Sequence, residues 1–208
     1  MSMHFIWHDL QHGFLHFDQG IFYTIKQLLF RPGYAIKDYI NGKRASHFKP
    51  FSFVIIIATV YGLLSKNLFF ISVDSQSMDS VLRMYVSMIE WTLKHLTYTT
   101  IVLIVTTSIA SFWAFQRQGF NFAEHLVLNT YYRGLVLLVA ILVIPFMYLS
   151  NDLDIKYVMI YMSISQMVDF LLMYWCYCQF FDKMSFGRSL LAYFYMTVIN
   201  MLIFMLFV

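Results

Sequence analysis

Four histidines, His4, His8, His12 and His16, recur at every fourth position. On an α-helix this spacing stacks imidazoles along one face, drifting about 40° per step. Adjacent pairs have the spacing to chelate a divalent metal, with Asp9 or Asp18 as an added oxygen ligand. The same row would make a surface responsive to pH. Gly13 interrupts the helix that chelation needs, and imidazoles set among Phe and Trp at an interface are a common inert outcome. That inert face is the preferred reading.

A second group consists of polar residues inside apolar stretches, where lipid makes them expensive. Asp169 falls near the middle of residues 157–181, with Gln166 one turn earlier on a similar face. Asn200 falls in the middle of residues 190–208, and Glu124 and Arg133 stand at the polar start of another apolar run. Together they read as a seam lining a water-filled path or a subunit interface. Interhelical hydrogen bonding that fixes a bundle is the other reading, and for Asn200 it is the preferred one. Cys176 and Cys178 lie two apart, which on a helix places them about 200° apart, so they neither pair nor share a metal. There is no phosphate-binding glycine loop, Gly-x-Ser-x-Gly nucleophile or His-Glu-x-x-His helix. No enzymatic activity and no cofactor are expected.

These residues must be carried by helices in lipid. The chain is 60% hydrophobic and 12% charged, against about 25% charged in a soluble domain, too little charge to coat a globule in water. Segments of alternating apolarity that would build a barrel are missing, and Pro and Gly are scarce. The expected fold is all-α, a polytopic transmembrane bundle of about five spans preceded by amphipathic interfacial helices. The spans fall near 51–71, within a helix running from Met78 to Phe115, near 122–149 with a kink at Pro145, at 157–181 and at 190–208. Four spans with one re-entrant element is the alternative, because Met78 to Lys94 can also lie flat. Residues 1–50 form one unit and 51–208 the membrane domain.

The first unit carries Lys26, Arg31, Lys37, Lys43, Arg44 and Lys49. Ile21, Phe22, Ile25, Leu28 and Leu29 make one apolar face; Pro32 opens a second short helix that closes at Gly42. Two placements follow: helices lying in the membrane surface on anionic lipid, or a helical hairpin packed on the membrane domain. With the N-terminus inside, ten Lys and Arg fall on the cytoplasmic side and four on the other, so the C-terminus is expected outside. No cleavable signal peptide is expected. The expected partners are the bilayer, further copies of the chain and a cytoplasmic protein that meets the six cations. A net charge of +3 is too small to imply direct nucleic-acid binding.

Two stretches carry a resemblance. LLFRPGYAIKDYINGKRASHFKPFSFVII, Leu28 to Ile56, and FAEHLVLNTYYRG, Phe122 to Gly134, resemble an uncharacterised family of small multi-pass inner-membrane proteins of Bacteroidota. Many of its members carry an N-terminal zinc ribbon, whose cysteines this chain lacks. The resemblance implies an inner-membrane address rather than an activity. Length and layout also look like the membrane accessory proteins of type VI-B CRISPR systems, which would imply a role in antiviral defence. The function expected is a non-enzymatic, oligomeric membrane accessory or effector that alters permeability or recruits a cytoplasmic partner. A small-solute channel or transporter and a structural scaffold are the alternatives.

Overall fold

The computed structural model describes residues 20–65, 83, 87, 91–148, 155–181 and 185–207, with side chains for all of these except 146–148, 155–162, 200 and 202–207. The described residues are helical with connecting turns. Residues 20–30 form α1, followed by α2 (Pro32–Ile40), α3 (Pro50–Ser65), α4 (Leu96–Ala114), a short 3-10 turn (Gln116–Gln118), α5 (Phe122–Tyr148), α6 (Ile155–Phe180) and α7 (Phe186–Phe207).

Local sequence accounts for these boundaries. Pro32 occupies the first turn of α2, where its missing N–H costs nothing. The helix ends at Gly42, whose φ of 101° is the left-handed conformation that glycine takes without a Cβ penalty. The Gly42 N–H donates to the Tyr39 carbonyl at 3.2 Å and the Lys43 N–H to the Asp38 carbonyl at 3.0 Å, the paired bonds of a Schellman cap. A capping box opens α5. The Asn121 side chain accepts the Glu124 N–H at 3.0 Å, and the Glu124 carboxylate accepts the Asn121 N–H at 2.7 Å. Pro145 lies inside α5, which continues to Tyr148.

Most of residues 78–90 of the expected helix from Met78 to Phe115 lie outside the described residues, and the part from 91 onward is divided. Residues 91–94 are helical, but His95 is a turn that caps the start of α4. Its Nδ1 lies 3.0 Å from the Trp91 carbonyl, and the Thr99 hydroxyl bonds back to the His95 and Leu96 carbonyls. Such side-chain bonds compete with the helix ladder and bend it.

Helix α5 is the hub, packing against α2, α3, α4 and α6; α7 closes on α4 and α6, and α2 lies across α6. Among the described residues, two helices are long and apolar enough to cross a membrane, Leu96–Ala114 and Phe122–Pro145, and 16 residues of the apolar α3 are described. The described residues are therefore all-helical, with two helices of membrane-crossing length and apolarity.

Candidate functional site

One end of the bundle carries a cap made by α1, α2 and the loop to α3. The cap is fastened rather than laid loosely alongside. Gly33 sits so close to α6 that a Cβ there would lie 2.1 Å from the Cys176 carbonyl oxygen and 2.6 Å from the Phe180 nitrogen. Its N–H donates to the Gln179 side-chain oxygen at 3.1 Å. The Phe48 N–H donates to the Thr24 hydroxyl at 2.8 Å, and the Tyr131 hydroxyl of α5 donates to the Phe48 carbonyl. Thr24, Leu28, Ala35 and Ile36 are buried in this seam. The contacts show the hairpin packed on the bundle, with the outward face of α1 left exposed.

Opposite the seam, residues 41–46 are all exposed. Asp38 sets their charges: its carboxylate accepts from Lys43 Nζ at 2.9 Å and from Arg31 at 3.2 Å. The Lys43 hydrogen bond holds the Asp38 carboxyl below the usual carboxylate value, outweighing the opposing effect of burial. The Arg44 guanidinium lies 5.6 Å from the Tyr39 ring centroid, a cation–π contact. His47 turns inward, with Nδ1 at 2.9 Å from the Lys43 carbonyl and its ring against the edges of Tyr23 and Tyr39. Burial lowers its pKa below the ordinary imidazole value. Lys26, Arg31 and Lys49 are exposed, and Lys37 is half-buried.

Residues 18–62 match a family described as a protein of unknown function (DUF3667). The match covers the cap and most of α3, and the stretch Leu28 to Ile56 lies within it. No curated protein and no solved structure matches the chain.

Beneath the cap is a buried network that the sequence did not announce. Ser111 of α4 lies 3.0 Å from His125 Nδ1 of α5. The Asn129 amide donates to Ser111 Oγ at 2.9 Å and to the His125 carbonyl at 2.8 Å. Tyr177 of α6 donates to Asn129 Oδ1 at 2.6 Å. All four side chains are sealed from solvent, none more than 1% exposed. Phe112 meets the His125 ring edge-on at 5.6 Å and Phe181 lies 5.7 Å away. His125 Nε2 finds no hydrogen-bond partner among the described residues. In this conformation the hydroxyl–imidazole pair is closed to any substrate, and the network ties α4, α5 and α6 together.

The expected seam is distributed over several places. Asp169 accepts a hydrogen bond from Tyr132 at 2.7 Å, and the charge of Arg133 also acts on it; Arg133 Nε is buried without a partner among the described residues. Glu124 is engaged at the start of α5. The Gln166 side chain faces outward, while its carbonyl accepts from Tyr193 at 3.1 Å. The Asn200 side chain, and His4, His8, His12 and His16, lie outside the described residues. Among those described, no group of three or more His, Cys, Asp or Glu is placed to hold a metal.

Proposed function

We propose that this chain is a five-span inner-membrane protein, with its N-terminus cytoplasmic and its C-terminus periplasmic, that acts without catalysis as an accessory recruiting an acidic cytoplasmic protein. The observation that carries the reading is the exposed tip at residues 41–46, whose Lys43 and Arg44 are held by Asp38 and Tyr39 on a hairpin fastened to α5 and α6. A charged tip already held in place loses less freedom on binding than a loose loop, and its sign selects the partner. The excess of Lys and Arg on this side supports a cytoplasmic placement.

A second feature supports assembly into oligomers. Gln166 is exposed on α6, and lipid is a poor environment for an amide, so a neighbouring copy is its natural cover. Several copies would be needed to enclose a permeation path, which is the second reading. The likeness to CRISPR-linked accessory proteins favours antiviral defence as the setting.

The test places a photo-crosslinking residue at Ala45 in cells and measures dye release from proteoliposomes. One acidic protein crosslinked by the parent and lost in Lys43→Glu/Arg44→Glu, with vesicles that stay sealed, is the expected result. Vesicles that leak while the tip crosslinks nothing would replace recruitment with permeation.

A further inference from the structure

The outward face of α1 differs from the tip. Phe22, Lys26 and Phe30 recur at every fourth residue and all are exposed, the two phenylalanines at 68% and 74%. Tyr34, at the start of α2, extends the aromatic row at 54% exposure. The opposite face, with Thr24 and Leu28, is buried against the bundle. Single exposed apolar residues are ordinary, but an aromatic row with a cation set into it marks a surface that expects cover.

Depth and charge identify the cover. Helix α5 has 27 residues, about 40 Å of helix against a hydrocarbon core of about 30 Å. Its polar first turns, Glu124 to Asn129, therefore fall at the level of the headgroups. The cap is bonded to the third turn of α5 through Tyr131 and to the last turns of α6 through Gly33, so α1 lies at that same depth. Residues 20–50 contain six Lys and Arg and one acid, Asp38, and Asp38 already bridges Arg31 and Lys43. This excess of cations suits an anionic surface.

We propose that the Phe22–Lys26–Phe30 row of α1 is seated in the headgroup layer of the cytoplasmic leaflet. The two rings enter the uppermost acyl region, and Lys26, with Arg31 beside it, meets the phosphates of anionic phospholipid. The cap then has two working sides, α1 toward lipid and residues 41–46 toward the cytoplasm. Lipid contact would fix the height at which the tip is presented. This inference rests on the membrane-spanning reading above.

The experiment uses the full chain in proteoliposomes, in a Cys178→Ser background, since Cys176 is buried. A polarity-sensitive fluorophore is attached at Phe22→Cys, Phe30→Cys, Ala45→Cys or Leu142→Cys, the last an exposed position of α5. Vesicles contain phosphatidylcholine with or without phosphatidylglycerol, and a lipid-borne quencher sits either just below the headgroup or at the chain end. Probes at positions 22 and 30 should be quenched by the shallow label, that at 142 by the deep one, and that at 45 by neither. Omitting phosphatidylglycerol, or substituting Lys26→Gln, should lower the seated-to-unseated ratio at position 22, by about fivefold for the lysine. Quenching at 142 without quenching at 22 and 30 would overturn the seating alone. No quenching at 142 would overturn the membrane-spanning reading and the seating with it. Shallow quenching at 22 that ignores both phosphatidylglycerol and Lys26→Gln would overturn the anionic-lipid contact.

Discussion

Replacing Gly33 with alanine should lift the cap from the bundle. A Cβ at this position would lie 2.1 Å from the Cys176 carbonyl oxygen, 2.5 Å from Gln179 Cβ and 2.6 Å from the Phe180 nitrogen. Two of these are backbone atoms of α6 and cannot rotate aside, so α2 must move. Inserting a methyl into a packed contact costs about 1–3 kcal/mol, and the rigid neighbours here call for the upper end. Alanine returns about 1 kcal/mol of helix propensity, which leaves about 2 kcal/mol against docking, or about thirtyfold in the open population. Amide exchange of residues 33–40 in detergent reads that population directly when reclosing is fast. Gly187→Ala is the control, since its nearest neighbour would be Ser185 Oγ at 3.6 Å. An exchange rate for Gly33→Ala within a factor of two of the parent would refute the docked hairpin.

Three further outcomes follow from the same end of the bundle. Tyr131→Phe removes the donor to the Phe48 carbonyl at about 1 kcal/mol, so exchange of residues 47–49 should rise about fivefold while α4 and α5 stay protected. Asn129→Leu leaves Ser111 and Tyr177 without the amide that joins them; at about 1 kcal/mol per lost buried hydrogen bond, thermal unfolding in detergent should move several degrees lower. His47 is held below its ordinary value of 6.5 chiefly by burial. Folding therefore favours its neutral form, and this contribution is complete above pH 6.5 and lost as pH falls through 6.5 toward the lower folded value. Proteolysis of residues 41–49 should accelerate over that fall, and His47→Gln should flatten the profile. Asp38 adds a later loss, beginning as pH falls through 3.8.

The helix starts and stops were legible because they rest on neighbours in the chain. Pro32 and Gly42 bracket α2 as their fixed and left-handed backbones require. Asn121 and Glu124 are three residues apart and cap one another; reading Glu124 as part of a seam overlooked that local use. Asp169 was singled out as costly in lipid, and the fold gives its carboxylate the Tyr132 hydroxyl as a donor. The division at His95 was less visible, since it depends on side chains competing for carbonyls within an otherwise helical run. The buried network lay further beyond reach. His125 and Asn129 are one helical turn apart on α5, a visible hint, yet their partners Ser111 and Tyr177 belong to α4 and α6.

By itself the sequence determined that the chain is helical, that it holds helices apolar enough for a membrane, and that its first fifty residues are basic. Those properties follow from composition and from periodicity over one or two turns. Only the tertiary structure decided that the amino-terminal helices form a fastened cap. That outcome depends on Gly33 meeting the α6 backbone and on Tyr131 reaching Phe48, contacts between residues 143 and 83 positions apart. Close packing between distant segments is a property of three-dimensional shape, and no local pattern of residue types encodes it.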